Sequence, residues 1–516
     1  MYSVISTAAI HGLECRFVCV EADVSDGLPL FEMVGYLSSE VREAKERVRT
    51  AMKNSGFLLP PKRVTVNLSP IHMRKEGNSY DLPVAIAVMA ALGNIQAKDL
   101  NDFLVLGEIG LDGKIHATGG ILPMVYAAKK NGFSACMVPV ENVREAQIVE
   151  GIAVIGVESL TDAVRFFNCK PEERKYSDML GQKPAEEKKK KTPDFADISG
   201  QEELKRACEV AVAGMHNFLM VGPPGSGKTM LASRIPGILP KMTAEEQMEI
   251  SKIYSIAGML PENGGLLTER PFRAPHHSCT LSGMTGGGRV PTPGEVTLAH
   301  RGVLFLDELP EFQKNVLETL RQPLEDQRIT LVRQSGSYEY PADIMLVCAC
   351  NPCRCGYYPD RNRCSCSPRQ VGAYLGKISR PLLDRVDICV EAPRISFTEL
   401  TDQDKEKRES SAQIRKRVTQ AQKIQEERYR GCSFSFNSQL QGPDVEKFCR
   451  LNAKQREVME KAFDRFSLTA RGYYKILKVA RTIADLQGNE KISMEDLAEA
   501  ISYKSLDDRY FGEVIR

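Results

Sequence analysis

The eight residues GPPGSGKT at 222–229 follow the apolar run FLMV and open a stretch with helical spacing, and no other feature constrains this chain as much. A G-x-x-x-x-G-K-[ST] turn between a strand and a helix wraps backbone N–H groups around phosphate oxygens. It needs a parallel α/β sheet that delivers the turn at its carboxyl edge. Gly222, Pro223, Pro224, Gly225, Ser226 and Gly227 form the loop, Lys228 is placed to reach the outer phosphates, and the Thr229 hydroxyl can ligate Mg²⁺. A second apolar strand, GVLFLDE at 302–308, ends in two adjacent carboxylates. Beside a phosphate loop, Asp307 is expected to hold Mg²⁺ and Glu308 to orient and polarise an attacking water, because phosphoryl transfer depends on positioning and charge stabilisation. The pair of motifs predicts ATP and Mg²⁺ as cofactors.

At 516 residues the chain is too long for one core, and about 100–200 residues per domain makes three or four folded units the expectation. The boundary is clearest at 171–193, PEERKYSDMLGQKPAEEKKKKTP, where apolar periodicity lapses. Its lysine run at 188–191 reads as a solvated spacer rather than a dedicated DNA contact. Before it, residues 1–170 alternate short β-branched runs, such as VTVNL at 64–68 and ACMVPV at 135–140, with helical stretches. Asp81 is the expected N-cap of a helix whose VAIAVMAALG run is apolar nearly all round. After it, 194–395 is the phosphate-loop domain, and 396–516 carries long charged helical patterns of a lid type. A net charge of +2 gives no global attraction to nucleic acid, so any DNA contact must be local. The start MYSVISTAAI lacks a basic leader, and no apolar run reaches the roughly 18 residues of a membrane span. A cytoplasmic protein without a membrane partner is therefore expected, with its 15 cysteines reduced.

Longer motifs narrow the reading. DISGQEELKRACEVAVAGMHNFLMVGPPGSGKT at 197–229, PFRAPHHS at 271–278, GEVTLAHRGVLFLDELPEF at 294–312 and LKVARTIADL at 477–486 resemble the YifB/ComM group of magnesium-chelatase-like AAA+ ATPases. The resemblance implies a Lon-protease-like α/β N-terminal domain, an AAA+ P-loop NTPase α/β domain and a C-terminal helical lid. It also implies that Asn351, ending IMLVCACN, is sensor 1 and that Arg471 is the sensor 2 arginine. Arg385 in PLLDRVD resembles an arginine finger, with Arg380 a competing candidate and pairing of Arg385 with Asp384 or Asp387 the plain alternative. A finger that serves a neighbouring subunit implies a ring, expected to be a hexamer. Resemblance to this group further implies helicase or branch-migration work on single-stranded or branched DNA, in recombination or natural transformation. A protein-remodelling or metal-chelatase motor is the alternative.

Two insertions resemble pore loops of the wider clade that contains the magnesium chelatases and the MCM replicative helicases. The first, at 263–300, has a glycine run beside Arg289; the second is a hairpin, ITLVRQSGSYEYPA, with Arg333 on its arm. One arginine on a flexible loop, repeated around a ring, suits non-specific phosphate tracking, and an ordinary surface hairpin is the bland counterpart. His276 and His277 read as a hydrogen-bonded structural pair. Cys353, Cys355, Cys364 and Cys366 make two C-x-C pairs after sensor 1, which suits tetrahedral Zn²⁺ or, alternatively, a set of unligated thiols. Cys348 and Cys350 lie on the preceding strand and should simply pack. Finally, LVLGEIGLDGKIHATGGILPMVYAAKKNGFSACMVP at 104–139 resembles the proteolytic domain of Lon, with Ser79 close to the nucleophile position. Met124 stands where Lon carries its lysine, so the expectation is an inactive peptidase fold unless Lys129 or Lys130 substitutes.

Overall fold

Alternation of buried with more exposed residues along Val18–Ser25 makes the core-facing part of one long strand, Glu14–Ser25, which pairs antiparallel with Tyr2–His11 from Tyr2↔Asp23 to His11↔Glu14. A computed structural model describes residues 1–96, 98–177, 193–261, 265–289, 291–333, 336–395 and 408–511. Most of the charged linker with its lysine run, position 263, the hairpin tip at 334–335 and the expected start of the lid at 396–407 lie outside the described residues. The strands are β1 (Tyr2–His11), β2 (Glu14–Ser25), β3 (Leu30–Val34), β4 (Arg63–Ser69), β5 (Phe103–Val105), β6 (Glu108–Ile109), β7 (Ile115–His116), β8 (Ala135–Pro139) and β9 (Ala153–Val157). All but the small β6–β7 hairpin form a seven-stranded mixed sheet of order β3-β4-β2-β1-β5-β8-β9.

The helix Asp81–Ala91 packs against β1 and β2 and is buried nearly all round, as its unbroken apolar run predicts. Asp81 is not its N-cap. It is the first helical residue, follows Tyr80, and its fully buried carboxylate takes two hydrogen bonds from Arg47, at 2.7 and 2.8 Å. A buried carboxylate needs a full partner more than a helix end needs a cap.

The second unit is built on β10 (Phe218–Val221), β11 (Phe272–Arg273), β12 (Gly286–Gly287), β13 (Thr292–Pro293), β14 (Val303–Leu306), β15 (Arg328–Arg333), β16 (Gly336–Pro341), β17 (Met345–Cys350) and β18 (Ile388–Glu391). Five of them form an all-parallel sheet, β11-β14-β17-β10-β18, while β12–β13 and β15–β16 are separate hairpins. The parallel strands read as continuous apolar runs because helices cover both faces.

Five longer helical segments, Ser411–Arg428, Gly442–Phe448, Ala453–Arg465, Ala470–Leu486 and Met494–Phe511, make the C-terminal helical domain. Their apolar faces merge with the sheet's own core, so Ile414, Val418 and Ile483 belong to the same cluster as Phe218 and Val347. Polar ties reinforce the join: Gln422 and Gln425 donate to the carbonyls of Val212 and Ala213, and Arg206 pairs with Glu499 at 3.0 Å. No helix among the described residues is long and apolar enough to cross a membrane.

The N-terminal unit rests on the helix Ala244–Ile256 and on both small hairpins. The Gly120 N–H donates to the Ser255 carbonyl (3.2 Å), the Ser255 hydroxyl to Glu145 (2.5 Å), and the rings of His11 and Tyr338 stack 4.2 Å apart.

Inside the helical domain, Asp485 is completely buried and accepts from Arg428 (2.8 Å), Arg481 (3.2 Å) and Asn437 (2.9 Å). Removing this acceptor takes the ion pair from Arg428 and leaves Arg481 with only the carbonyls of Asn489 and Glu490, a loss of about 3–5 kcal/mol. Asp485→Ala should therefore lower the urea midpoint of the helical domain sharply while Asp485→Asn loses less. Equal midpoints for wild type and Asp485→Ala in circular dichroism would refute this.

Candidate nucleotide site

The carboxyl ends of β10, β14 and β17 lie side by side, which brings three separate sequence motifs to one edge. The loop after β10 turns through Gly225 (φ +75°) and Gly227 (φ +79°), a left-handed region that side chains rarely enter, and delivers Lys228 to the first position of the helix Lys228–Ala232. The Lys228 ammonium is buried and bonds to the carbonyls of Gly222 (2.7 Å) and Pro223 (2.9 Å), to Ser226 Oγ (3.4 Å) and to Asn351 Oδ1 (3.3 Å). Burial pushes its pKa down, opposed by the carboxylates of Asp307 and Glu308. The Lys–Asn contact joins the phosphate loop to the residue that follows β17. At the tip of β14 the Thr229 hydroxyl donates to Asp307 Oδ2 at 2.6 Å, and the Glu308 N–H donates to Asp307 Oδ1 at 2.9 Å. A hydroxyl and a carboxylate at this spacing are hard oxygen ligands of the kind Mg²⁺ takes beside phosphates, so the donor set fits the ion. Glu308 has φ +51° without being glycine; such a conformation survives only where its surroundings enforce it, as at reaction centres.

Two residues complete this edge, one read from the sequence as part of a structural turn and one given no role there. His277 follows β11, the strand next to β14, and its Nδ1 lies 3.4 Å from Glu308 Oε2. Its ring is braced by His276 at 4.0 Å and by the edge of Phe312 at 6.4 Å. The histidine pair is therefore more than a local turn: His276 does bond Ser278 (2.8 Å), but His277 reaches the glutamate. Only the strand order, invisible in the sequence, puts it there. Gln201, in a left-handed conformation before the helix Glu202–Gly214, donates to the carbonyls of Ser226 (2.5 Å) and Pro393 (3.3 Å) and so braces the loop from behind.

Arg385 and Arg471 lie elsewhere. Both line a cleft of about 990 Å³ with Lys475 of the helical domain and with Met215, Asn217 and Asp343, which precede β10 and β17 rather than follow them. Asn217 fixes this end: its amide donates to the Arg385 carbonyl (2.8 Å) and accepts from the Leu346 N–H (3.0 Å). The length of β10, about 13 Å at 3.3 Å per residue, thus separates these arginines from their own phosphate loop. Arg385 pairs with Glu325, not with Asp384 or Asp387, and also donates to the Arg321 carbonyl (3.2 Å). Asp387 instead holds His216 (3.1 Å), whose other nitrogen meets Thr482 of the helical domain at 2.8 Å. Arg471 is exposed at the start of the helix Ala470–Leu486; one turn on, Lys475 donates to the carbonyls of Leu383 and Val386 and clamps the segment that carries Arg385. Arg380 is exposed and has no ion pair among the described residues.

The two arginines proposed to meet DNA are brought to one corner. The Arg333 guanidinium lies beside Gly287, and Arg289 is two residues further on. Tyr340 ties the hairpins together by donating to the Pro291 carbonyl at 2.7 Å. Arg289 is already engaged by the N-terminal unit, bonding Glu40 and Ser39 at 2.9 Å each. The β15–β16 hairpin is likewise anchored, near its tip, through the His11–Tyr338 stack.

The four cysteines converge, with all ligand atoms within 4.8 Å of one another. Cys348 and Cys350 stay inside the sheet, where burial pushes the Cys350 thiol up to about 12 and the Cys348 thiol higher still. In the N-terminal unit Met124 is 2 % exposed in the apolar cluster of Leu104, Leu106 and Ile121. Lys129 lies along Gly151, and the Lys130 ammonium sits 4.7 Å from the centre of the Tyr126 ring. A buried thioether accepts no proton, so Ser79 has no base at that position.

Three family models match the chain: magnesium chelatase, subunit ChlI, over 194–400; subunit ChlI of Mg-chelatase over 20–142; and the ChlI C-terminal region over 408–504. Competence protein ComM of Haemophilus influenzae is 39 % identical over 504 residues, covering 98 % of this chain and 97 % of its own length. The protein YifB of Escherichia coli is 38 % identical over 512 residues, covering 98 % of this chain and 97 % of itself. An archaeal Lon protease of Methanocaldococcus jannaschii is 31 % identical over 103 residues, 20 % of this chain and 16 % of its own.

If His277 positions Glu308, His277→Ala should lower kcat for ATP about tenfold, equivalent to about 1.4 kcal/mol, with nucleotide affinity unchanged. An unaltered kcat would remove the histidine from the site.

Proposed function

Since the chain belongs to the YifB/ComM family of magnesium-chelatase-like AAA+ ATPases, we propose that it is a ring-forming motor, expected to be hexameric, that spends ATP to move DNA through its pore. The observation that carries this reading is the placement of Arg385 and Arg471 at the amino ends of the strands, away from their own phosphate loop. An arginine on that side serves a neighbour's γ-phosphate, where it contributes roughly 10³–10⁵ in rate, so hydrolysis needs assembly.

Within one composite site the roles divide as follows. Glu308 holds a water in line with the γ-phosphorus and takes up its developing positive charge; Asn351 shares that water. Lys228 leaves the loop carbonyls to pair with the outer phosphates, and the neighbour's Arg385 and Arg471 offset negative charge as the bond to the ADP oxygen breaks. Mg²⁺, held through Thr229 and Asp307, supplies further positive charge when bound. Zn²⁺ is assigned to the four-thiol cluster.

DNA is the proposed track, single-stranded or branched. Arg289 and Arg333 share one corner, and the Arg289–Glu40 pair is half exposed on both sides. Exposed pairs of this kind are worth about 0–1 kcal/mol, so a phosphate displaces the carboxylate at little expense. The Haemophilus relative is named a competence protein, which supports the assignment we make of this chain to recombination of incoming strands.

Two experiments test the proposal. Steady-state ATP hydrolysis should rise several-fold with single-stranded or branched DNA, weaken with salt and vanish in Glu308→Gln; turnover indifferent to DNA would turn the reading to protein remodelling. Lys228→Ala and Arg385→Ala should each be inactive alone yet regain activity when mixed, because one supplies the loop and the other the finger. If mixing restores nothing, or if Arg380→Ala is the variant that complements, Arg385 is not the finger.

A further inference from the structure

The stretch 351–367 joins β17 to the helix Pro368–Leu375 without a helix or strand of its own, and connections longer than about 12–15 residues rarely hold a single shape unless something staples them. Here the sulfurs of Cys353 and Cys355 lie 3.3 Å apart, those of Cys353 and Cys364 3.7 Å, and those of Cys355 and Cys364 3.6 Å. Four thiolates around Zn²⁺ at about 2.3 Å each would stand about 3.8 Å apart, close to this spacing. A single disulfide would engage two of the four and leave the others unused. The Tyr358 N–H points at Cys353 Sγ (3.4 Å), the outer contact that steadies a metal-bound thiolate.

The knuckle also touches the nucleotide site at two places. Its first turn closes through the Gly356 N–H on the Cys353 carbonyl (3.0 Å) with Gly356 at φ +85°. A Cβ at Gly356 would fall 2.4 Å from Cδ of Pro224, so the turn lies directly on the phosphate loop. Two residues before Cys353, Asn351 bonds the Lys228 ammonium.

We propose that Zn²⁺ bound by Cys353, Cys355, Cys364 and Cys366 sets the affinity of the phosphate loop for ATP, by holding the Gly356 turn against Pro224 and Asn351 against Lys228. The inference rests on the zinc and ATP assignments above. Loss of the ion by chelation frees the wall of the loop and weakens nucleotide binding without altering any residue that meets the phosphates. The exposure of the cluster permits this: Cys355 and Cys366 are only half-buried, whereas Cys353 is fully enclosed.

The test uses the full chain, with zinc measured by elemental analysis and affinity by titration with a fluorescent ATP analogue. About one Zn²⁺ per chain is expected; stripping it should raise Kd about tenfold or more, and adding Zn²⁺ back should restore it. Cys364→Ser should match the stripped protein and Cys366→His, which keeps a zinc ligand, the wild type. Gly356→Val keeps all four thiols and should retain zinc yet bind the analogue weakly, which preserves the test should the stripped chain unfold. Absence of zinc with four titratable thiols, or a disulfide in their place, would overturn the zinc assignment. Full zinc with an unchanged Kd after stripping and in Gly356→Val would overturn the coupling alone. Failure of the zinc-loaded wild type to bind the analogue would overturn the ATP assignment.

Discussion

The parallel pairing of β10 with β17 on one side and β18 on the other is the constraint on which the rest depends. Phe218 aligns with both Val347 and Ile388, and every residue of β10 is buried, so the strand can neither slip nor twist away. A slip of one residue would turn Phe218 and Met220 to the opposite face of the sheet and misplace Gly222 relative to Asn351. Because the strands run parallel, their carboxyl ends form one edge and their amino ends another. The phosphate loop, the Asp307–Glu308 pair and Asn351 gather at the first; Arg385 and, through the helical domain, Arg471 gather at the second.

That division makes the protomer two-ended, and the helical domain couples the ends. Its helix Ala470–Leu486 carries Arg471, clamps the segment that holds Arg385 through Lys475 and reaches His216 through Thr482. His216 is fully buried between Asp387 and Thr482, so a shift of the helix is felt at the segment that holds Arg385. On the other side, the edge strand β11 leads into His277 and then into the insertion that carries Arg289, which is a short covalent route from the proposed DNA corner to the glutamate. The N-terminal unit closes over that corner. At this corner its grip rests on the exposed Arg289–Glu40 pair and one ring stack, and such contacts are readily exchanged.

Much of this was legible in the residues. The phosphate loop, the acidic pair after β14, the all-round apolar helix at 81–91 and the helical C-terminus are local patterns: each follows from spacing, from glycine's access to positive φ, or from an unbroken apolar run. The methionine expected at the Lon-like lysine position was also local, since Met124 stands there whatever the fold does. What eluded the sequence were relations between segments far apart in the chain. Asp81 looked like a cap because a cap is a local role, whereas its partner Arg47 lies 34 residues away across a helix pair. His277 looked like half of a turn because nothing in PFRAPHHS says that its strand lies beside β14.

The sequence by itself determined the groups available to this protein: a phosphate-loop motif, an adjacent Asp–Glu pair at the end of an apolar strand, four thiols at knuckle spacing and a set of arginines without a stated target. Those are properties of residue types at short spacings, and they survive in any fold that keeps the strands parallel. Tertiary structure alone decided which of these groups share a site. Strand order placed His277 against Glu308, put Gly356 on Pro224 and sent Arg385 to the far end of its own sheet. Each of these depends on long-range packing of buried strands, which one-dimensional spacing does not encode.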